Sequence, residues 1–199
     1  MKIAMLGGTF DPIHLGHIRL GQYFAEKLEL DKVLIIPTRT PPHKQKKVTP
    51  AEHRLEMCRI AAEYAGDKFE VSDIELRRDG LSYSFYTLQS LHEMYPGYEL
   101  YMLTGADMFV TLDKWHRYEE LRELATFCTV ARDDITGEQL REKAAQLTGC
   151  RLIVSEEAVM QVSSTAIRAA AANGGEFDHL VPPGVAEYIR INGLYRSQE

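Results

Sequence analysis

Six short apolar runs, separated by stretches with helical periodicity, leave this chain few ways to fold. The runs are Ile3–Leu6, Val33–Ile36, Phe69–Val71, Leu100–Leu103, Phe127–Ala131 and Leu152–Val154. Leu15, Ile18, Phe24, Ala25 and Leu28 mark one helical face by i, i+3, i+4 spacing, and Leu55, Cys58, Ala61, Ala62 and Ala65 mark another. Thr49 as N-cap, Pro50 at N1, Glu52 at N3 and Gly66 as a stop frame the second helix. A third carries Phe85, Leu88 and Leu91 and ends at Pro96-Gly97. Later helices start near Thr136 and Ser163, and the last, Val185–Ile191, stops at Asn192-Gly193. Such alternation predicts right-handed βαβ units and an α/β fold, a doubly wound Rossmann-like parallel sheet with helices on both faces. The 199 residues suit one domain, 1–199, with a helical C-terminal part from about 163 packed on it. Chemistry is then expected just after the strands, where the strand order reverses.

Charge and cysteine content narrow the classes. Lys+Arg 23 against Asp+Glu 29 gives a net charge of −6, which argues against nucleic acid as a partner. No apolar run approaches the roughly 20 residues that span a bilayer, and the apolar start is too brief for a signal-peptide core. Cys58, Cys128 and Cys150 lie far apart with no Cys-x-x-Cys spacing. Reduced thiols in a cytoplasmic protein are the expectation. No heptad seam stands out, which leaves a homo-oligomer open.

The first strand runs into Gly7-Gly8-Thr9-Phe10-Asp11-Pro12-Ile13-His14-Leu15-Gly16-His17. Paired glycines let the backbone turn tightly and bring N–H groups to a ligand, and the helix that follows turns its positive end to the same spot. His14 and His17 share one face of its first turn, and Gly16 between them leaves room for something bulky. Two imidazoles, backbone amides and a helix N-terminus suit a phosphate. A zinc hydrolase built on His14 and His17 is the alternative, but no third ligand follows at a helical offset. The loop is neither a P-loop nor a Gly-x-Gly-x-x-Gly turn. Pro37–Pro50, with Lys44, Lys46 and Lys47, is the one long loop.

Gly7–His17, with its His-x-Gly-His core, resembles the signature of the nucleotidylyltransferase superfamily. Val162-Ser163-Ser164-Thr165-Ala166-Ile167-Arg168 resembles its late Ser-Ser-Thr-x-Ile-Arg motif. There the serines are expected to cap a phosphate-receiving helix and Arg168 to add a cation. Pro41-Pro42-His43-Lys44, Ser82-Tyr83-Ser84-Phe85-Tyr86-Thr87, Gly105-Ala106-Asp107-Met108 and Trp115 are similar to one branch, the bacterial nicotinate mononucleotide adenylyltransferases of NAD biosynthesis. The resemblance runs to Asn192-Gly193-Leu194-Tyr195. Ser84 stands where many members have threonine, and Asp133-Asp134 where a proline or glycine is common.

The resemblance implies transfer of the adenylyl group of ATP, with Mg²⁺, to the 5′-phosphate of nicotinate mononucleotide, giving nicotinate adenine dinucleotide and pyrophosphate. It implies that His14, His17, Lys44 and Arg168 are catalytic, and that Gly7, Gly8, Thr9, Phe10, Ser163 and Ser164 join His14, His17 and Arg168 around ATP. Lys44, Ser82, Tyr83, Thr87, Gly105, Asp107 and Trp115 are implied for nicotinate mononucleotide, with Trp115 and Tyr83 stacking on the cationic pyridinium. Mg²⁺ travels with ATP, and Asp11 either positions it or braces the loop. A histidine beside a polyanion is expected to have a raised pKa. Nicotinamide mononucleotide, phosphopantetheine or another phosphorylated acceptor, and a non-catalytic nucleotide sensor, are the competing readings.

Overall fold

The computed structural model describes residues 1–41, 48–132, 134–155, 160 and 162–196. Within them the six expected strands form one parallel sheet: β1 (Lys2–Gly8), β2 (Lys32–Pro37), β3 (Phe69–Val71), β4 (Glu99–Leu103), β5 (Thr126–Val130) and β6 (Leu152–Ser155). Their order is β3-β2-β1-β4-β5-β6. β1 therefore has β2 on one side and β4 on the other, and the order reverses between β1 and β4. β1 runs through both glycines because Gly8 still pairs with Pro37.

Period-two alternation sorts the strand side chains into two layers. Ala4, Leu6, Val33, Ile35, Tyr101 and Leu103 face one apolar layer, with Ile18 and Phe24 of α1 (Leu15–Lys27) and Met57, Cys58 and Ala61 of α2 (Ala51–Ala65). Ile3, Met5, Leu34, Ile36, Leu100, Met102 and Phe127 face the other. There they meet Phe85 and Leu88 of α4 (Ser84–Met94), Phe109 of α5 (Ala106–Phe109), Leu121 of α6 (Tyr118–Leu124) and Leu140 of α7 (Gly137–Gln146). Ile167 of α8 (Ser164–Ala172) and Val185 and Ile189 of α9 (Pro183–Ile191) join the first layer, where α9 lies against α2. No described helix is long and apolar enough to cross a membrane.

Local signals fared unevenly. Gly66 ends α2, as the sequence predicts, and His14 caps α1 with its own side chain, which the sequence does not signal. Thr49 does not cap α2: Pro50 holds that position without a side-chain bond. Thr49 instead gives its N–H to Asp11 Oδ2 at 3.3 Å and its carbonyl to Arg54 at 2.9 Å, so a tertiary contact overrides the local motif. The short helices α3 (Ile74–Arg77), α5 and α6 had no sequence signal, since a turn or two of helix cannot display a period.

Candidate active site

A cavity of about 710 Å³ opens at the carboxyl ends of β1 and β4. That is the topological switch point, where parallel sheets of this order bind ligands. Gly7, Gly8, Thr9, His14, Gly16 and His17 line one end of it; Ser82, Tyr83, Gly105, Asp107, Trp115 and His116 line the rest.

At the first end the loop is tightly built. Phe10 has φ 50° and is buried with its ring edge-on to His17 at 5.0 Å. This left-handed backbone is strained for a bulky residue and is held by the packing. A Cβ on Gly16 would lie 2.9 Å from the carbonyl oxygen of Met160 and 3.1 Å from the His14 ring. The bulk this glycine admits is thus the chain itself, from the segment before α8.

The two histidines cap α1 reciprocally. His14 N–H donates to His17 Nδ1 at 3.2 Å, and His17 N–H donates to His14 Nδ1 at 3.4 Å. The rings stack with centroids 3.6 Å apart and planes 17° off parallel. A ring nitrogen that accepts a hydrogen bond carries no proton, so each imidazole holds its proton on Nε2. The pair therefore offers neutral Nε2–H donors. Burial, with the Arg132 charge nearby, lowers the His14 pKa to about 4. Without a bound polyanion desolvation governs this ring, because taking a charged imidazole out of water is costly.

That shift has a consequence for stability. The unfolded chain takes up the His14 proton near pH 6.5 and the folded one only near pH 4, so the native state binds fewer protons between them. The stability contributed by neutral His14 is present above pH 6.5 and is lost as the pH falls towards 4. Urea unfolding across this range is expected to show a loss of about 3 kcal/mol relative to a His14→Asn chain. Asn keeps an N-cap acceptor without titrating. Parallel profiles for the two proteins would refute the assignment.

Of the late motif only Val162 reaches the cavity wall, and the residues that follow it stand behind the loop. Ser163 occupies the N-cap of α8 but makes no side-chain cap bond. Ser164 Oγ donates to the Pro12 carbonyl at 2.9 Å, and Arg168 donates to the Asp11 carbonyl at 2.6 Å and to Thr165 Oγ1 at 3.1 Å. The expectation that the serines cap this helix is thus corrected: Ser164 is drawn to the buried loop carbonyl. Asp11 is itself nearly buried, and its carboxylate accepts the Tyr195 hydroxyl at 2.9 Å and the Thr49 N–H. Burial beside this carboxylate pushes the Tyr195 phenol up. Arg54, 2 % exposed, donates to the carbonyls of Thr9 and Thr38, each at 2.7 Å, and of Thr49. It ties the loops after β1 and β2 to the start of α2. Lys44 lies outside the described residues, as do Pro42, His43 and Asp133.

At the other end, Tyr83 stacks on His116 with centroids 4.2 Å apart, and His116 Nε2 lies 3.2 Å from the Tyr86 hydroxyl. Trp115 lines the cavity while its indole Nε1 is buried without a hydrogen-bond partner. Ser82 Oγ accepts the Arg39 N–H at 3.1 Å. Asp107, on the first turn of α5, lies 3.7 Å from Arg132. Thr87 is not brought to the cavity: it is fully buried, receiving Arg78 at 2.8 Å and donating to Glu75 at 2.7 Å. Sequence reasoning missed His116, Glu75, Arg132 and Arg54. Only Arg54 carried a readable signal, falling in phase with Cys58 and Ala61 on the apolar face of α2.

Comparison with known proteins fits this geometry. A family model described as cytidylyltransferase-like matches residues 5–170. A relative in Exiguobacterium sibiricum, named "Probable nicotinate-nucleotide adenylyltransferase", is 40% identical over 197 residues, 99% of this chain and 100% of that one. A protein of the same name in Oceanobacillus iheyensis is 38% identical over 194 residues, 98% and 96% of the two chains. The solved structure of Plasmodium falciparum nicotinic acid mononucleotide adenylyltransferase complexed with NaAD superposes with TM-score 0.80 at 20% identity, covering 98% of this chain and 97% of that one, a likeness of fold. Strand order, the histidine pair at the switch point and identity along the whole chain converge: this protein belongs to the cytidylyltransferase-like family and, within it, to the nicotinate-nucleotide adenylyltransferases.

Proposed function

We propose that residues 1–199 form one cytoplasmic nucleotidylyltransferase domain that moves the adenylyl group of ATP onto nicotinate mononucleotide, releasing pyrophosphate. The observation that carries this is one cavity with paired Nε2–H imidazoles at a helix N-terminus on one side and stacked aromatic rings on the other. A triphosphate suits the first side and a pyridinium ring the second.

An oxygen of the acceptor's 5′-phosphate attacks the α-phosphorus in line. The new P–O bond forms as the bond to the bridging oxygen breaks, and that electron pair leaves on pyrophosphate. The nucleophile is already an anion, so no side chain takes a proton. Positioning and charge stabilisation do the work. His14 and His17 donate from Nε2 to the phosphate oxygens on which charge builds, and backbone N–H groups from Gly7 to Phe10 hold the adenylate side. Ser164 and Arg168 serve ATP from behind, by fixing the loop through Pro12 and Asp11, and Ser163 holds the N-cap position of the helix that carries them. Lys44 supplies a cation to the phosphates, Ser82, Tyr83, Gly105 and Trp115 seat the acceptor, and Asp107 accepts from its ribose hydroxyls.

Mg²⁺ enters with ATP. Both oxygens of the Asp11 carboxylate already accept hydrogen bonds, and no group of three or more His, Cys, Asp or Glu is assembled among the described residues. This donor set fits an ion held by phosphates and water better than a side-chain cage. Asp11 accordingly braces the loop.

The test is pyrophosphate release from MgATP with nicotinate mononucleotide and nicotinamide mononucleotide in parallel. Faster release with the acid by about tenfold or more is expected. Equal rates would refute the acid selectivity, and silence with both would refute adenylyl transfer to a pyridine nucleotide.

A further inference from the structure

One carboxyl of the cavity wall takes no part in the chemistry above. Glu75, on α3, is 3 % exposed and lines the cavity with Ser82 and Tyr83. The Arg78 guanidinium donates to Thr87 Oγ1, which directs the Thr87 hydroxyl proton to Glu75 Oε1 at 2.7 Å. Oε1 is thus committed as an acceptor, whereas Oε2 is buried without a partner at hydrogen-bond distance. An acid with one oxygen so committed carries its proton on the other. When Glu75 is neutral, Oε2 is a hydroxyl donor; when ionised, it is a bare acceptor. Native proteins rarely leave such an atom orphaned unless something completes it.

Its surroundings indicate what completes it. Ser82 and Tyr83 lead into the first turn of α4, an eleven-residue helix with no side-chain cap, and Ser84 and Phe85 of that turn also line the cavity. Glu75, this helix start and Trp115 thus line one and the same cavity. We propose that Glu75 is a specificity-determining residue: neutral, it donates from Oε2 to a pyridine carboxylate; ionised, it accepts from a pyridine carboxamide. The proposal rests on the adenylyl-transfer reading and deepens it.

Direction follows from the groups around the carboxyl. Arg78 at the end of α3, the Thr87 hydroxyl from α4, and the Ser82 and Thr38 hydroxyls all favour the charged form, yet burial outweighs them and pushes Glu75 above the usual carboxylate range. The neutral donor therefore persists to higher pH than an exposed glutamate would allow. As the pH rises through its titration, the site loses a donor and sets a like charge against the carboxylate. Preference for the acid falls while the amide improves.

The experiment measures kcat/KM for nicotinate and nicotinamide mononucleotides from about pH 5 to about pH 9 and follows their ratio. Both acceptors carry the same 5′-phosphate and use the same MgATP, so those titrations cancel. The ratio is expected to fall about tenfold or more. Glu75→Gln keeps an oxygen for Thr87 and places a permanent N–H donor where Oε2 was, so its ratio should stay flat and favour the acid. Glu75→Met, with no proton to lose, should also be flat but with the acid preference reduced. A flat wild-type ratio would overturn the proposal. So would a slope that survives either substitution, since it would then belong to another group, His116 first. Absence of pyrophosphate from both acceptors at every pH would overturn the adenylyl-transfer reading itself, and this proposal with it.

Discussion

His17→Ala is expected to lower turnover by about two to three orders of magnitude, with ATP affinity within about threefold of the parent. The asymmetry follows from the reciprocal cap. Removing the His17 ring deletes one Nε2–H donor, but the backbone N–H of residue 17 remains and still donates to His14 Nδ1. His14 thus keeps its tautomer, although its own N–H loses the His17 Nδ1 acceptor. His14→Ala is the poorer probe, because it also removes the acceptor that caps α1. Ground-state binding persists through the loop amides and the helix N-terminus, whereas charge that appears only in the transition state loses a partner. Single-turnover kinetics with MgATP and nicotinate mononucleotide give the rate of the chemical step, and ATP titration gives the affinity. Near-normal turnover would remove His17 from the transition state.

Arg54→Met is expected to cost about 3–5 kcal/mol of folding stability. The guanidinium is 2 % exposed and donates to the Thr9, Thr38 and Thr49 carbonyls. Methionine fills much of the volume but takes the guanidinium donors away from three part-buried carbonyls. Arg54→Lys should rescue only in part, since a point ammonium cannot reproduce the planar fork. Urea unfolding read by circular dichroism tests this against a domain whose total stability is of the order of 5–15 kcal/mol. A loss below about 1 kcal/mol would mean that water or a shifted backbone replaces the clamp.

What the sequence reveals and what it hides divides along physical lines. Strands advertise themselves because a parallel sheet buried on both faces needs continuous apolar runs such as Val33–Ile36 and Leu100–Leu103. The glycine turn and the histidine pair are legible because their geometry is local. Ser164 is not, because its partner, the Pro12 carbonyl, is 152 residues away in the chain. Arg168, Thr49 and Tyr195 converge on Asp11 for the same reason, through contacts that no spacing encodes. Thr87 misleads in the opposite sense: its position at the opening of α4 suggests a substrate contact, whereas Glu75 and Arg78 claim its hydroxyl in the interior.

The two apolar layers give the sheet one more property. The proposed triphosphate cradle rests on the layer of Ile18, Phe24 and Met57, and the proposed acceptor wall on the layer of Phe85, Phe109 and Leu121. The sheet separates these foundations, and the two walls meet only at the strand ends. In evolutionary terms the halves are separable. Substitutions beneath α4 and α6 reshape the seat for an acceptor while the machinery for handling ATP stays as it was. A scaffold of this build can change its second substrate without having to reinvent its first.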